Sequence, residues 1–216
     1  MRFLMISLFI FVVLKGNSQN PGRFDNEVAE IQNKYDTLWD GLKETIVFSG
    51  SSSIRTWEGL EKEFPERQII NTGFGGSQAS DLLAYSEGLI LKFNPKKVFI
   101  YEGDNDLAAG KRPKEIMTTI LEINHKIHAK NNDVQIILIS AKPSIARWSL
   151  KRRFKRLNRK LRRLSKKDDQ IYFADIWNPM LQGRKLNPNI YIEDGLHMNA
   201  KGYDIWYSVL KPFIDH

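Results

Sequence analysis

Short runs of β-branched and aromatic residues recur along this chain and alternate with segments in which apolar residues follow helical spacing. Thr45 to Phe48, Val98 to Tyr101 and Val134 to Ile139 are rich in such residues, as is typical of strands buried on both faces of a parallel sheet. Gln68 to Ile70 and Ile171 to Phe173 are weaker candidates for two further strands. This alternation predicts the α/β class, with a parallel sheet and helices on both of its faces.

Five segments have the apolar spacing of amphipathic helices. They are Asn26 to Leu42, residues 78–92, the segment that begins at Pro113, the segment 150–164, and Ala200 to Leu210. The sequence has no internal repeat and no linker, so we expect a single domain from residue 19 to residue 216. In such folds ligands bind beyond the carboxyl ends of the strands, and the loops that follow the strands are therefore the candidate functional segments.

The first 18 residues have the pattern of a secretory signal peptide. Arg2 precedes an apolar run from Phe3 to Leu14, and residues 16–18 supply the small side chains that a signal peptidase reads. The run is shorter than the roughly 20 residues of a spanning helix. We expect cleavage after Ser18, with an uncleaved membrane anchor as the alternative.

The chain contains no cysteine, which excludes disulfides, thiolate catalysis and zinc–thiolate sites. Disulfides are common in secreted eukaryotic domains, so an exported chain without cysteine favours a bacterial periplasm.

Positive charge is concentrated in one segment. Lys and Arg number 33 against 25 acidic residues, a formal charge of +8 that falls to +6 without residues 1–18. The window from Arg147 to Lys167 holds 12 of these cations and no acid, and its apolar residues lie on one helical stripe. The basic face of residues 147–167 is either a solvated surface or a contact for an anionic substrate, lipid or cell-wall surface. Nucleic acid is not expected as a partner in the periplasm.

The first two loops after strands carry serines and glycines. Ser51, Ser52 and Ser53 follow the first strand, where a helix should begin, and a serine there is either a nucleophile or a plain helix cap. The second loop, residues 71–77, contains three glycines, which permit either close backbone approach to a ligand or a tight turn. Its spacing matches neither a dinucleotide fingerprint nor a phosphate loop.

The remaining two loops carry an amide, a carboxylate and an imidazole. Asn105 follows the third strand, where its NH2 group is able to meet an oxyanion, although loop Asn residues also build turns. Asp194 precedes His197 by three residues, a spacing that lets the carboxylate orient the ring. Together the four loops supply a nucleophile, a base, an orienting acid and oxyanion donors.

In their order and spacing these residues resemble the SGNH hydrolases, also called the GDSL family of esterases and lipases. The family is named for a Ser, a Gly, an Asn and a His in four blocks, which correspond here to Ser52, Gly76, Asn105 and His197, while Asp194 completes the triad. The resemblance covers nearly the whole mature chain. It implies a flavodoxin-like, three-layer sandwich around a five-stranded parallel sheet, and a carboxylic ester hydrolase that needs neither a cofactor nor a metal.

Two blocks match the family closely and one departs from it. Residues 103–106 match its Gly-x-Asn-Asp pattern and residues 194–197 its Asp-x-x-His pattern. The first block departs from Gly-Asp-Ser-Leu, since Ser51 stands where Asp is usual and Ser53 where Leu is usual. The resemblance implies that Ser52 is the nucleophile, with Ser51 as the fallback.

The resemblance also implies a mechanism. His197, oriented by Asp194, takes the proton of Ser52, which attacks the ester carbonyl and forms an acyl-enzyme. The oxyanion is held by the backbone N–H groups of Ser52 and Gly76 and by the side-chain amide of Asn105. The expected substrate is a small-molecule, glycan or lipid ester with a short acyl group such as acetyl.

The loop after the fourth strand should border the same site. Its Arg147 and Trp148 are candidates for substrate contact, or else Arg147 caps a helix end and Trp148 packs under the loop.

Two rival hypotheses remain open. One is a catalytically silent member of this fold that binds an acidic polymer through its basic helix, which is suggested by the altered first block. The other is a metal-dependent hydrolase that uses the acidic and imidazole groups of Asp104, Asp106, Asp194 and His197, although their spacing fits no recognised metal motif.

Overall fold

Five parallel strands form the central sheet, as the resemblance implies. The computed structural model describes residues 22–215, so the signal peptide predicted for residues 1–18 lies outside the described residues. The strands are β1 (Thr45–Gly50), β2 (Gln68–Gly73), β3 (Lys97–Tyr101), β4 (Gln135–Ile139) and β5 (Ile171–Ala174). Their order across the sheet is β2-β1-β3-β4-β5, and every neighbouring pair is parallel. The carboxyl ends of all five strands therefore meet at one edge.

Both faces of the sheet are buried, which explains why the strands read as continuous apolar runs. Side chains alternate between the faces along each strand. Val47 and Val98, which are register partners, belong to one core cluster, whereas the next pair, Phe48 and Phe99, belongs to the other. The rings of Phe48 and Phe99 stack with their centroids 4.1 Å apart. Two apolar cores thus lie on either side of one sheet.

Helices cover the two cores and complete a three-layer sandwich. They are α1 (Asp25–Leu38), α2 (Ser52–Arg55), α3 (Leu60–Glu63), α4 (Ala79–Leu89), α5 (Asp104–Ala108), α6 (Pro113–Lys130), α7 (Lys151–Leu164) and α8 (Ala200–Asp215). The core residues of α1, α4, α6 and α7 pack on one face, and those of α2, α3 and α8 pack on the other. A small hairpin, β6 (Leu181–Gln182) and β7 (Lys185–Leu186), lies outside the sheet. Within residues 22–215 no helix is both long and apolar enough to cross a membrane.

The first helix is shorter than its apolar spacing predicts. It ends at Leu38 rather than Leu42, and Leu42 is 98% exposed. Trp39 takes an extended backbone, and its indole N–H donates to the Thr45 hydroxyl over 3.1 Å. The ring of Trp39 also packs edge-on against Phe93. These contacts draw the chain towards β1 before another helical turn can form.

Two other predicted boundaries shift by a few residues. The helix predicted over residues 78–92 ends at Leu89, and a 3₁₀ turn at Leu91–Phe93 leads to Asn94, which has a positive φ of 41°. Strands β1 and β2 continue to Gly50 and Gly73, because backbone pairing extends into segments that were expected to be loops.

Candidate active site

The serine segment lies in the tight connection between β1 and α2. Gly50 ends the strand with a φ of +134°, and a Cβ atom there would lie 2.1 Å from the Tyr101 carbonyl oxygen, so only glycine fits. Ser51 and Ser53 are buried, with exposed fractions of 2% and 3%, whereas Ser52 is only partly buried. Of the three hydroxyls, that of Ser52 faces the imidazole ring of His197.

Ser52, His197 and Asp194 form a continuous chain of hydrogen bonds. The Nε2 atom of His197 lies 2.9 Å from the Ser52 Oγ atom, and its Nδ1 atom lies 2.5 Å from Oδ2 of Asp194. The other oxygen of Asp194 accepts the backbone N–H groups of Leu196 and His197 at 2.8 and 2.9 Å. The carboxylate therefore fixes both the loop and the ring, and this arrangement is able to pass a proton from Ser52 to His197.

The loop that carries His197 keeps its acid ionised. Partial burial acts to raise the pKa of Asp194, but the hydrogen bonds from the His197 ring and from the backbone of Leu196 and His197 outweigh it and lower this pKa to about 2. The exposed fractions of the Asp194 and His197 side chains are 42% and 27%. The Asp194 and His197 side chains are thus open to solvent on one side.

The three predicted oxyanion donors follow the ends of three adjacent strands. Gly50 of β1 is in register with Gly73 of β2 and with Tyr101 of β3, so the loops that carry Ser52, Gly76 and Asn105 start side by side. Among residues 22–215 the backbone N–H groups of Ser52 and Gly76 meet no acceptor. Both donors are therefore available to a ligand.

The side chain of Asn105 is held at both ends. Its Nδ2 atom donates to the Ser77 carbonyl oxygen over 2.8 Å, and its Oδ1 atom accepts from Nη2 of Arg147 over 2.9 Å. One of the two Nδ2 hydrogens is satisfied by Ser77. The other has no acceptor among the described residues, which leaves it for an oxyanion.

Neither predicted role of Arg147 describes its position fully. Its guanidinium bridges Asp104 and Asn105 and makes no side-chain cap to the helix that follows. Trp148 is partly buried and stacks on Trp177, with ring centroids 6.1 Å apart.

A buried charged group behind Asn105 was not predicted from the sequence. Lys142, three residues after the end of β4, is fully buried, and its Nζ atom lies 3.5 Å from Oδ2 of Asp104. Asp104 also accepts from Arg147 at 2.5 Å and from the Tyr101 hydroxyl at 3.1 Å. Burial would raise the pKa of Asp104, but the charges of Lys142 and Arg147 lower it below its ordinary value. The sequence signal that could have revealed this cluster is a lysine three residues after the end of a buried strand.

Two other acidic residues near Asn105, Glu102 and Asp106, hold the second loop and the start of α4. Asp106 accepts the Ala79 N–H group at 3.0 Å and the Lys111 ammonium at 3.1 Å, and so anchors the start of α4. Glu102 accepts the Ser77 hydroxyl at 2.7 Å. Burial, reinforced by nearby Asp106, raises the pKa of Glu102 well above its ordinary value.

The four side chains of the metal hypothesis have these separate partners. Asp104 pairs with Lys142 and Arg147, Asp106 pairs with Lys111, and Asp194 pairs with His197. Within residues 22–215 no three His, Asp or Glu side chains are grouped as a metal ion requires.

Comparison with known families agrees with the geometry. Residues 35–205 match the model of the GDSL-like lipase/acylhydrolase family, a span that contains all five residues of the predicted triad and the predicted oxyanion site. The chain belongs to this family. It is accordingly a carboxylic ester hydrolase. No curated protein matches its sequence.

Solved structures share the fold of this GDSL-family chain at low sequence identity. A GDSL-like lipase from Bacteroides thetaiotaomicron is 23% identical, with a TM-score of 0.73, and the match covers 91% of this chain and 97% of that one. A Streptococcus pneumonia protein named for platelet activating factor is 22% identical, with a TM-score of 0.76 over 88% and 94% of the two chains. An acetyl-xylooligosaccharide esterase from Geobacillus is 18% identical, with a TM-score of 0.66 over 80% and 94%.

Proposed function

We propose that this GDSL-family protein is a serine esterase that works through an acyl-enzyme. The observation that carries the proposal is the hydrogen-bond chain from Asp194 through His197 to the Ser52 hydroxyl, at 2.5 and 2.9 Å. A serine hydroxyl is a weak nucleophile unless a base takes its proton, and an imidazole held by a carboxylate is such a base.

The reaction proceeds in two halves. His197 takes the proton of Ser52 as its oxygen attacks the ester carbonyl, and His197 then gives that proton to the leaving alcohol. A water molecule then attacks the acyl-enzyme as His197 takes its proton. His197 gives that proton to the departing Ser52 oxygen, which releases the acid and restores the Ser52 hydroxyl. In both halves the negative oxygen is held by the N–H groups of Ser52 and Gly76 and by the free Nδ2 hydrogen of Asn105.

The substrate that we propose is a short acyl ester, such as an acetyl ester, on a carbohydrate or lipid. The partial exposure of Ser52 and His197 supports it, because an ester that projects from a larger carrier can reach such a site. The acetyl-xylooligosaccharide esterase of similar fold is consistent with a carbohydrate carrier.

Purified protein, expressed from residue 19, tests the esterase proposal directly. We expect it to release p-nitrophenol from p-nitrophenyl acetate and to be labelled by a fluorophosphonate. Ser52→Ala should abolish both, whereas S51A and S53A, which change the buried neighbours, should retain activity. Turnover by S52A would overturn the assignment of the nucleophile. Acetylated oligosaccharides compared with phospholipids would then identify the carrier.

We also propose that residues 1–18 direct the protein to the bacterial periplasm. The basis is the pattern of Arg2, the apolar run that follows and the small residues before position 19. Expression of the full chain in a Gram-negative host should yield periplasmic protein whose N-terminal residue is Gln19. Recovery of full-length chain in the membrane fraction would instead indicate the uncleaved anchor.

A basic groove supports a second candidate role, the binding of an anionic polymer. The groove lies between α7 and the end of β5 and has a volume of about 610 Å³; its cations are Arg152, Lys155, Arg156, Arg159 and Arg162. Of these five, only Arg162 has an acidic partner among the described residues, namely Asp175. Unpaired cations along a concave surface favour a polyanion, either as the carrier of the ester or as the ligand of a silent protein.

Charge reversal separates these roles. The triple variant K155E/R156E/R159E should lose affinity for polygalacturonate and lose its salt dependence, whereas K62E/K114E/K201E, which makes the same charge change elsewhere, should not. If the wild-type protein binds the polymer, hydrolyses no ester and is not labelled by the fluorophosphonate, the hypothesis of a catalytically silent polymer-binding protein is correct. An equal loss of affinity for polygalacturonate in the two triple variants would show that the net charge of the protein, and not the groove, attracts the polymer.

A further inference from the structure

The guanidinium group of Arg147 links a buried carboxylate to the amide that we assign to the oxyanion site. Its Nη1 atom lies 2.5 Å from Oδ1 of Asp104, and its Nη2 atom lies 2.9 Å from Oδ1 of Asn105. The Arg147 side chain is 18% exposed. A planar guanidinium that donates to two acceptors at once has a fixed orientation.

The contact with Arg147 decides which end of the Asn105 amide faces the reacting centre. An amide has an oxygen and an NH2 group of similar size, and only the NH2 group can stabilise an oxyanion. Arg147 requires an acceptor and the Ser77 carbonyl requires a donor, so Oδ1 points to Arg147 and one Nδ2 hydrogen to Ser77. The flipped amide would place oxygen against oxygen at Ser77.

Arg147 is itself held by groups that are inaccessible to solvent. Asp104 is 4% exposed and Lys142 is fully buried, and the Tyr101 hydroxyl donates to the same carboxylate. The guanidinium that donates to Oδ1 of Asn105 draws electron density towards that atom and makes the free Nδ2 hydrogen a stronger donor.

We infer that Arg147 is a positioning residue that fixes Asn105 as an oxyanion donor, and that Asp104 and Lys142 hold Arg147 in place. The inference rests on the proposed function, in which Asn105 donates to the oxyanion. It differs from the role suggested by the sequence, in which Arg147 touches the substrate. A contact with the substrate would act at binding, whereas a correctly oriented donor acts mainly in the transition state.

Steady-state kinetics on p-nitrophenyl acetate distinguish these roles. We expect Arg147→Met to lower kcat about 100-fold with little change in KM, because loss of one oxyanion donor costs about 10²–10³ in kcat. Arg112→Met is the control, since it removes an arginine that pairs with Glu115 at the start of α6, outside both the site and the basic groove. R112M should retain wild-type kcat.

A double-mutant cycle tests whether Arg147 acts through Asn105. If it does, adding R147M to N105A should lower kcat little further, because the amide that Arg147 orients is already absent from N105A. If the reductions in kcat caused by R147M and N105A multiply in the double variant, or if R147M raises KM alone, then Arg147 does not act through Asn105. Either result would overturn the inference. Wild-type kcat in R147M would also overturn it.

R147K covers the case in which R147M does not fold. A lysine keeps the charge beside Asp104, but its single nitrogen does not reproduce the fork that also reaches Asn105. We expect R147K to fold, as judged by circular dichroism and thermal unfolding, and to lose kcat without a change in KM. Full kcat in folded R147K would contradict the inference.

The proposed function and the inference can fail separately. If S52A remains active, the esterase mechanism itself is wrong. If S52A and N105A are both inactive while R147M and R147K are unimpaired, the mechanism stands and only the positioning role of Arg147 is wrong. If N105A alone is fully active, Asn105 is not a donor, and the role of Arg147 is wrong with it.

Discussion

His197 and Ser52 are separated by 145 positions in the chain, yet their Nε2 and Oγ atoms lie 2.9 Å apart. A second link joins α8, which follows the His197 loop, to the segment that carries Ser52. The Tyr203 hydroxyl, one turn into α8, donates to the Ser53 carbonyl oxygen over 3.0 Å and lies 2.8 Å from the Thr56 hydroxyl. The segments that carry His197 and Ser52 are therefore joined by these contacts of Tyr203 as well as by the bond between the two side chains.

Removal of the charge on Asp194 should reduce turnover strongly. The asparagine of Asp194→Asn can present its NH2 group to His197, which favours the wrong tautomer of the ring. We expect kcat for p-nitrophenyl acetate to fall by about 10⁴-fold, the size of the effect of the same Asp→Asn change in the Ser-His-Asp triad of a serine protease. Glu193→Gln alters the exposed acid next to it and is the matched control. Comparable kcat values for the two variants would contradict the assigned role of Asp194.

Loss of the Tyr203 hydroxyl should reduce catalysis through the position of the nucleophile. We expect Tyr203→Phe to lower kcat about tenfold, because small displacements of reacting groups are costly, and to destabilise the fold by about 1 kcal/mol. Tyr207→Phe is a suitable control, since the Tyr207 hydroxyl contacts only the Lys211 ammonium among the described residues. Kinetics and urea unfolding of both variants check this prediction, which fails if Y203F keeps full kcat.

Glu102 should make the stability of the fold depend on pH. Its pKa is raised by burial, so the folded state holds a proton that the unfolded chain releases above about pH 4.3. The stabilising contribution is complete below that value and is lost as pH rises towards the higher pKa of the folded state. Relative to Glu102→Gln, the wild type should lose up to about 1.4 kcal/mol of unfolding free energy per pH unit in this window.

Urea unfolding at pH 5, 6.5 and 8 measures the effect of Glu102. E102Q keeps an oxygen for the Ser77 hydroxyl, and E87Q on the exposed face of α4 controls for loss of an acid. A constant difference between the wild type and E102Q across these pH values would show that Glu102 does not bind the extra proton.

Two glycines with positive φ should differ in their tolerance of alanine. A Cβ at Gly50 would lie 2.1 Å from the Tyr101 carbonyl oxygen, whereas a Cβ at Gly110 would meet nothing within 4 Å. We expect Gly110→Ala to cost only backbone strain, about 1–2 kcal/mol. Gly50→Ala should cost about 4 kcal/mol or more, among the largest single-residue effects. Equal thermal unfolding temperatures for the two variants would refute this difference.

Local patterns predicted the elements of the fold well and their ends less well. The three central strands, β1, β3 and β4, were recognisable because they are buried on both faces, which favours apolar residues throughout. The end of α1 was not recognisable from the sequence, because Leu42 has the right spacing for a helix and is nevertheless 98% exposed. What ends the helix is the contact of Trp39 with Phe93 and Thr45, which local periodicity does not contain.

The sequence by itself determined the α/β class, the blocks that carry Ser52, Asn105 and His197, and the basic face of α7. These follow from the residue types within a few positions of one another. Only the tertiary structure decided that Arg147 holds Asn105 and that Lys142 is buried beside Asp104. The physical reason is that local sequence sets how apolar or charged a segment is, whereas the partner of a charged group is set by which loops the sheet brings together.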